Sequence, residues 1–359
     1  MATKRICPYC LAELNEKAIE KRDSRLYCVK CNEELPADML ETPNLIFSIV
    51  GVKGAGKTNY ITAMLEEMIN NSDKLHLVSS PQNHETKTVH HNNARLLYDS
   101  HQKLQATEPG ELRPQIWRVK NLNRSSKYKV ETNTFTIFDG SGKDHHDLGI
   151  DSVNCKYITA SDAIMLIFDP IILKSVRDRV SKDIFKKSVA DINDTEYKNS
   201  AEVVNNVAAY IKAIFGLPAN QKVKIPVAVI FTKMDALAED FTDCMILQKS
   251  PHSEKGVFQH IDSGAVETDI KAWLASHNEN SFIDAIEADF ARHAYFGVSS
   301  YGIDLENKSE LDAVRPHRIL DPILWLFTQK GFIDTSEERF DPSPKKLKQK
   351  IFNLLRKNK

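Results

Sequence analysis

Residues 51–58 limit the possible folds of this 359-residue chain more than any other segment. Their sequence, GVKGAGKT, follows an unbroken apolar run at residues 45–50. The residues after it place apolar side chains at helical spacing: Ile61, Met64, Leu65, Met68 and Ile69. A buried strand, a glycine loop and an amphipathic helix in this order predict a phosphate-binding loop, because the turning backbone and the helix N-terminus direct N–H groups at an anion. Chance produces this pattern in roughly one chain in a hundred of this length.

Strand and helix patterns alternate along the rest of the chain. Five segments have the apolar character of strands: 115–121, 129–139, 162–169, 225–232 and 294–298. Five have helical spacing: 173–184, 203–214, 265–276, 281–293 and 322–331. The first two strands flank a polar turn and predict a hairpin. The alternation predicts an α/β fold over residues 45–335, with helical insertions, in which a mostly parallel sheet is covered by helices on both faces.

The composition is typical of a soluble globular protein, with 42% hydrophobic residues, 27% charged residues and a net charge of −1. A nearly neutral chain has no general attraction to nucleic acid or to an anionic membrane. The longest apolar stretch, residues 163–173, is interrupted by Asp169 and Pro170, and the N-terminus has no long apolar run after its charges. We therefore predict no transmembrane segment and no secretory signal, and we expect a cytoplasmic protein.

Four of the six cysteines form two C-x-x-C pairs, Cys7 with Cys10 and Cys28 with Cys31, separated by 17 residues. In a reducing compartment this spacing predicts a tetrahedral zinc site rather than disulfides. Residues 1–40 would then form a small zinc ribbon that takes most of its folding energy from Zn²⁺. Its seven acidic and seven basic residues balance, which argues against nucleic acid as its ligand and leaves a protein partner open.

The glycine loop predicts roles for its own residues. The phosphate cradle comprises Gly51, Lys53, Gly54, Ala55 and Gly56. Lys57 is expected to reach the β- and γ-phosphates of a nucleotide, and the Thr58 hydroxyl is expected to ligate Mg²⁺.

A second acidic position lies at the end of the predicted hairpin. Asp139 follows Thr58 by 81 residues and begins the sequence DGSG, which ends at Gly142. A carboxylate at a strand end is expected to hold Mg²⁺ through a water, and Gly142 is expected to offer its N–H to the γ-phosphate. Because Asp-Gly pairs also mark ordinary turns, the prediction depends on the position of this motif in the chain.

The base is predicted from residues 231–235, FTKMD, which follow a strand pattern. The Asp235 carboxylate can accept from both the N1–H and the 2-amino group of guanine, whereas adenine would leave it unpaired. The stem of Lys233 is expected to lie along the base. The alternative interpretation is a strand end with solvated charges, but the order of the three motifs favours GTP.

In this order the motifs resemble those of the translation-factor and Ras-like superclass of P-loop GTPases, over residues 45–330. The resemblance implies a switch that binds GTP and GDP, with Thr232 at a position where the superclass usually has Asn. It also implies that a backbone N–H of the loop containing Ser299 meets guanine O6. A switch threonine should precede the hairpin, and Thr107 is the candidate ahead of Thr86 and Thr88.

The superclass often places a Gln or His directly after D-x-x-G to orient the attacking water. Lys143 stands there, so His145 or His146 is the substitute, unless both are only solvated surface residues. Lys53 occupies a loop position where many small GTPases have Gly. Both departures imply slow intrinsic hydrolysis. A zinc ribbon ahead of such motifs is also similar to a group of bacterial double-GTPases from conflict or signalling systems.

Residues 342–359 contain seven Lys or Arg and no acid, with apolar residues at helical spacing. This pattern predicts a basic amphipathic helix that packs on the body or contacts anionic lipid, RNA or an acidic partner. For the whole chain the sequence predicts a slow, magnesium-dependent GTPase switch with a protein partner. The alternatives are a non-hydrolysing nucleotide-binding scaffold, an ATP-dependent P-loop enzyme and a nucleic-acid-binding zinc protein.

Overall fold

The computed structural model describes residues 5–51, 54–100, 104, 114–140, 155–173, 176, 200–252, 256–302 and 314–336. Its N-terminal module contains three antiparallel strands in sequence order: β1 (Ile19–Arg22), β2 (Arg25–Cys28) and β3 (Glu34–Leu35). The buried hydrophobic residues of this module are Cys7, Leu14, Cys28, Leu35 and Met39. So small a core cannot stabilise an independent fold without a further cross-link.

Nine strands follow in the described residues: β4 (Asn44–Gly51), β5 (Leu77–Pro81), β6 (Gln115–Ser125), β7 (Val130–Asp139), β8 (Ala163–Phe168), β9 (Val227–Phe231), β10 (Val257–Phe258), β11 (His293–Gly297) and β12 (Asp334–Thr335). Seven of them form one sheet in the order β11-β9-β8-β4-β7-β6-β5, and β10 pairs with β12. The five strands from β11 to β7 are mutually parallel, and β6 is antiparallel to both of its neighbours. The predicted mostly parallel sheet and the hairpin β6–β7 are confirmed.

The described helices are α1 (Lys57–Asn70), α2 (Ser72–Leu75), α3 (His84–Ala94), α4 (Lys156–Thr159), α5 (Ser200–Phe215), α6 (His260–Ser276), α7 (Asn280–Asp289) and α8 (Asp321–Gln329). Shorter helical turns are the π-helical turn Arg95–Asp99 and the 3₁₀ turns Glu16–Ala18, Pro170–Ile172, Met234–Phe241 and Met245–Leu247. Among these described helices, none has both the length and the hydropathy needed to cross a bilayer.

Helices cover both faces of the large sheet because its inner strands bury side chains on both sides. All eight residues of β4 are buried. Ile46 packs in one hydrophobic cluster with α5, α6 and α7, whereas its neighbour Phe47 packs in a second cluster with α1 and α8. Successive side chains of a strand point to opposite faces, so one strand contributes to two cores.

Two parts of the fold differ from the sequence prediction. The helix predicted over 281–293 ends at Asp289, because the chain becomes extended at Phe290 and His293 begins β11. The sequence patterns predict no strand or helix between residues 70 and 115, yet the structure contains β5 and α3 there. Neither has a clear apolar period, since β5 buries only Leu77, and α3 buries only two residues, both polar.

Several polar contacts attach the N-terminal module to the large domain, among them an ion pair between Asp38 and Arg118 and two hydrogen bonds from asparagine side chains. Asn44, the first residue of β4, donates from Nδ2 to the carbonyl oxygen of Ile6 at 2.9 Å. Asn83, the N-cap of α3, donates from Nδ2 to the hydroxyl of Tyr9 at 3.0 Å. Tyr9 lies between the two cysteines of the first C-x-x-C pair. The cysteine module therefore contacts the strand that leads into the glycine loop.

Candidate functional site

The carboxyl ends of the five parallel strands lie at one edge of the large sheet. Gly51 ends β4 beside Ile167 of β8, and Asp139 ends β7 beside Ile49 of β4. Since β4 has β7 on one side and β8 on the other, the order of the strands along the chain reverses across the sheet at this point. Ligands of open α/β sheets bind outside the carboxyl ends of the strands at such a switch point.

The glycine loop follows β4 at this edge and requires glycine at three positions. Gly54 and Gly56 have φ angles of +79° and +82°, a region that other residues rarely adopt. A Cβ atom at Gly51 would lie 2.4 Å from the carbonyl oxygen of Ile167. Gly56 is also the N-cap of α1, so the helix begins at Lys57 with its first N–H groups directed at the loop. The geometry is that of an anion-binding helix N-terminus.

Lys57 lies beneath this loop with its side chain buried. Its Nζ donates to the carbonyl oxygen of Gly51 at 2.9 Å. Burial lowers the pKa of Lys57 to about 8, against the opposing effect of the Asp139 carboxylate. A cation destabilised by burial is strongly stabilised when an anion binds next to it. The position of this lysine therefore fits a phosphate ligand.

Two oxygen ligands suited to a magnesium ion come together beside the loop. The hydroxyl of Thr58 donates to Oδ2 of Asp139 at 3.1 Å, so the first turn of α1 meets the end of β7. Hydroxyl and carboxylate oxygens are the ligands that Mg²⁺ prefers, with the remaining positions taken by water and phosphate oxygens. The residues present fit the ion, and the contact joins residues that lie 81 positions apart in the chain.

Thr232 connects the predicted base motif to the glycine loop. Its hydroxyl lies 2.8 Å from the carbonyl oxygen of Ala55 and 3.1 Å from that of Phe168. Both acceptors are backbone groups, so Thr232 holds the loop against the ends of β8 and β9. Lys233 has a φ of +58° and pairs through Nζ with Oδ2 of Asp169 at 2.5 Å. The ammonium group is therefore fixed at the end of β8.

Asp235 is held by the loop that follows β11. The hydroxyl of Ser299 donates to Oδ1 of Asp235 at 2.5 Å, and Ser299 is fully buried. Asp235 keeps an exposed face, yet the protein around its carboxyl raises the pKa of that group, while the hydrogen bond from Ser299 partly lowers it. A carboxylate with one oxygen fixed and an open side can accept hydrogen bonds from a ligand.

The prediction that a backbone N–H of the loop containing Ser299 meets guanine O6 stays a prediction. The N–H of Ser299 itself donates to the carbonyl oxygen of His317 at 3.1 Å, and its hydroxyl donates to Asp235. Thr86, a secondary candidate for the switch threonine, is buried in α3 and accepts a hydrogen bond from the N–H of Ile116. It holds α3 to β6.

Asn59 and Tyr301 form a contact that no sequence motif indicated. The Nδ2 of Asn59 donates to the hydroxyl of Tyr301 at 3.1 Å, across 242 residues of sequence. Asn59 follows Thr58 in the first turn of α1, and Tyr301 lies two residues after Ser299. The contact brings the first turn of α1, which follows the glycine loop, together with the loop that holds Asp235. Protein packed around Tyr301 raises the pKa of its phenol, and the nearby charge of Asp235 acts in the same direction.

The four paired cysteines form a compact cluster in the N-terminal module. Their Sγ atoms all lie within 4.8 Å of one another. Cys7 and Cys31 are 3.7 Å apart, as are Cys10 and Cys28. Zinc–sulfur bonds of about 2.3 Å in a tetrahedron place the sulfur atoms about 3.8 Å apart. The cluster therefore fits Zn²⁺ without rearrangement.

Several predicted residues lie outside the described part of the chain. These are Lys53, Thr107, Lys143, Gly142, His145 and His146, together with residues 342–359. The roles given to them from sequence remain predictions.

No family model matches this sequence, and no curated protein matches it. Among solved structures, the Arl6 BBS3 small GTPase of Trypanosoma brucei with GppNp is 13% identical, with a TM-score of 0.34, over 80% of this chain and 98% of that one. The SRb-GTP/SRX complex of Chaetomium thermophilum is 14% identical, with a TM-score of 0.30, over 73% of this chain and 93% of that one. The Ski7 GTPase-like domain of S. cerevisiae with GDP and inorganic phosphate is 12% identical, with a TM-score of 0.33, over 80% of this chain and 50% of that one. Similarities this distant leave the function to be inferred from the site.

Proposed function

We propose that this chain is a magnesium-dependent GTP-binding protein that hydrolyses GTP slowly and acts as a molecular switch. The observation that carries this proposal is the convergence of two distant segments at one sheet edge. Lys57, Thr58 and Asp139 form the phosphate side, and Asp235 with its partner Ser299 forms the base side. The hydrogen bond from Thr232 to Ala55 ties the two sides together.

On the phosphate side, the chain supplies positive potential where the triphosphate would lie. The N–H groups at the start of α1 and the ammonium of Lys57 neutralise phosphate oxygens, and both are in place before the ligand arrives. Thr58 directly, and Asp139 through water, would hold Mg²⁺. When bound, the ion would supply positive charge that stabilises the negative charge developing on the phosphates.

On the base side, Asp235 would accept two hydrogen bonds from guanine, one from N1–H and one from the 2-amino group. Adenine offers no donor at either place, so binding ATP would bury an unpaired carboxylate. Ser299 fixes one carboxylate oxygen and thus the orientation of the group. A backbone N–H of Ser300 or of the next residue would be the one to reach guanine O6, since that of Ser299 is engaged.

In hydrolysis, a water would attack the γ-phosphorus while its bond to the β–γ bridging oxygen breaks, giving GDP, inorganic phosphate and a proton. Gly142 would bind the γ-phosphate and Thr107 would complete the magnesium shell. His145 would orient the water in place of the usual residue after D-x-x-G, and Lys53 would interfere with an incoming arginine finger or itself approach the γ-phosphate. We expect a slow reaction because the position after D-x-x-G lacks the usual water-orienting residue and because Lys53 stands where many small GTPases have Gly.

Measuring the release of inorganic phosphate tests this function. The assay, radiometric or colorimetric, is run with GTP and with ATP, each in the presence of Mg²⁺ and in the presence of EDTA. We expect multiple turnovers with GTP, none with EDTA, and a preference for GTP over ATP of at least about 100-fold in affinity. Tight GTP binding without any turnover would indicate a scaffold, and an equal response to ATP would indicate an ATP-dependent enzyme. Either result would contradict the proposed function.

The cysteine cluster would hold one structural Zn²⁺, and a protein partner would dock on the ribbon so formed or on the switch loops. Four thiolates leave no open position at the metal, so the ribbon has no catalytic part. The hydrogen bonds from Asn44 and Asn83 hold the ribbon against the body. Its exposed Val29, 58% accessible, lies directly after Cys28 and is available to a partner.

Replacement of Cys28 by Ser is expected to abolish zinc binding, since a hydroxyl is a poor ligand and the remaining module has too small a core to hold the site. Elemental analysis of the purified chain should give one zinc per wild-type molecule and close to none for Cys28→Ser. Cys244→Ser is the matched control, because Cys244 lies outside the cluster, and should keep one zinc. Wild-type protein that contains no zinc after preparation with zinc present would contradict this proposal.

A further inference from the structure

A buried cluster of charged side chains lies behind the loop that holds Asp235. Arg318 is 4% exposed. Its Nη1 donates to Oδ2 of Asp262 at 2.7 Å and to Oδ2 of Asp321 at 2.8 Å. Its Nη2 donates to Oδ1 of Asp262 at 3.0 Å and to the carbonyl oxygen of Met245 at 2.9 Å. The guanidinium thus joins α6, the start of α8 and the turn at Met245.

The same cluster contains His252. One of its ring nitrogens and one carboxylate oxygen each of Asp262 and Asp321 lie within 4.8 Å of one another, close enough to bind a metal ion. Two observations argue against a metal. The Nδ1 of His252 accepts the N–H of Gln259 at 2.9 Å, so Nε2 carries the proton on the side of the carboxylates. The guanidinium of Arg318 already bonds both carboxylates. The cluster is therefore an ion network.

Such a network is a costly way to gain stability. Desolvation of buried charges offsets most of their attraction, and apolar residues of the same volume often stabilise a fold equally well. Arg318 also has a φ of +49°, in the left-handed region that is unfavourable for a residue with a side chain. The network instead fixes the backbone conformation of residues 317 and 318.

That geometry is transmitted to the candidate base site through the backbone of one residue, His317. His317 donates its N–H to the carbonyl oxygen of Ser299 at 2.8 Å and accepts the N–H of Ser299 at 3.1 Å. Its Nε2 also contacts the carbonyl oxygen of Ile246 at 2.8 Å. Ser299 in turn holds Asp235 through its hydroxyl. A continuous set of direct contacts therefore leads from Arg318 to the carboxylate that would select the base.

We propose that Arg318 is a positioning residue for guanine recognition. Its ion network with Asp262 and Asp321 fixes the paired segment at His317, and this pairing fixes Ser299 so that Asp235 presents its open side to the base. The inference rests on the proposed function, because it assigns a cause to the base selectivity of that site. Arg318 does not contact the nucleotide in this account.

The affinity ratio of GDP to inosine diphosphate measures this role, because hypoxanthine lacks only the 2-amino group that Asp235 would accept. A hydrogen bond to a charged group corresponds to a preference of about 10-fold or more for GDP in the wild-type chain. In Arg318→Met the ratio is expected to fall to within about threefold, because Asp235 is no longer held in register. Inosine diphosphate should weaken as well, since it loses the hydrogen bond from N1–H, but GDP should weaken more because it loses the bonds from both N1–H and the 2-amino group. Both affinities are obtained by fluorescence competition with Mg²⁺.

Lys212→Met is the matched control for the loss of a partly buried cation. Lys212 pairs with Asp289 at 2.5 Å and donates to the carbonyl oxygen of Ala219 at 2.8 Å. Because α7 ends there and β11 begins a few residues later, this pair lies at the opposite end of the parallel strands from the candidate site. We expect Lys212→Met to lose stability in thermal unfolding but to keep the wild-type ratio.

The outcomes separate this inference from the function on which it rests. If the wild-type chain does not distinguish GDP from inosine diphosphate, guanine recognition by Asp235 fails. If the wild type distinguishes them and folded Arg318→Met keeps the full ratio, the positioning role of Arg318 is overturned. Should Arg318→Met fail to fold, Asp262→Asn keeps the shape of the network and removes the paired charge. An unchanged ratio in that variant would equally overturn the proposal.

Discussion

Replacing Lys57 with Met is expected to weaken the binding of GTP and GDP by at least about 100-fold, which corresponds to roughly 3 kcal/mol. Hydrogen bonds from a charged donor to phosphate oxygens are worth about 1.5–3 kcal/mol each, and Lys57 would make more than one. The N–H groups at the start of α1 remain, so weak binding persists. Isothermal titration with GDP and Mg²⁺ measures the loss.

Lys74→Met is the control, because Lys74 is an exposed lysine in the adjacent helix α2 whose nearest partner is Asn71 at 3.5 Å. It should bind GDP like the wild type. A Lys57→Met variant that is folded and binds GDP with wild-type affinity would show that the phosphates do not lie in the glycine loop.

In the absence of ligand, Lys57→Met is expected to be at least as stable as the ligand-free wild type. Burial lowers the pKa of Lys57 to about 8 from an ordinary value of 10.5, so the folded chain binds this proton less tightly than the unfolded chain does. Lys57 therefore destabilises the ligand-free fold below pH 8, and the penalty, about 3 kcal/mol, is relieved as the pH rises from 8 to 10.5. Chemical unfolding at pH 7 and pH 9.5 should show this gain in the wild type and not in Lys57→Met.

Replacing Asp235 with Asn is expected to reverse the base preference from guanine to xanthine. An amide still accepts from N1–H but donates where the carboxylate accepts, so it repels the 2-amino group of guanine and pairs with the 2-oxo group of xanthine. Loss of the two charge-assisted bonds should weaken GDP by about 100-fold, and xanthosine diphosphate should bind more tightly to the variant than to the wild type. Competition against a fluorescent nucleotide gives both affinities.

Ser299→Ala is expected to have a smaller effect than Asp235→Asn on the affinity for GDP. It keeps the carboxylate but removes the hydroxyl that fixes Oδ1, so we expect about a tenfold loss for GDP and no gain for xanthosine diphosphate. If Asp235→Asn weakens ATP and GTP equally, then Asp235 supports the fold at this edge and does not select the base.

The parts of the fold that could be predicted are those with a strong apolar period. Every residue of β4, β8 and β9 is buried, which leaves unbroken apolar runs in the sequence. The helix α3 gave no such pattern, because its only buried residues are Thr86 and His90, and both are polar. The strand β5 pairs at the outer edge of the sheet, where four of its five residues keep some exposure to solvent.

The candidate site shows the same division between local and distant information. The pairing of Thr58 with Asp139 was predictable, because loop chemistry requires an acidic partner at a neighbouring strand end. The attachment of Thr232 to Ala55 spans 177 residues and uses a backbone acceptor, which leaves no trace in the sequence. The hydrogen bonds of Ser299 to Asp235 and His317 likewise join segments that are distant in the chain, and nothing in the local sequence indicates them.

A crystal structure of the chain with GDP and Mg²⁺ tests most directly whether both sides of the site bind one ligand. We expect the two oxygens of Asp235 within about 3 Å of the guanine N1 and 2-amino nitrogens, and Nζ of Lys57 within about 3 Å of a β-phosphate oxygen. A nucleotide with its phosphates in the loop at Gly54 and its base away from Asp235 would contradict guanine recognition by this chain.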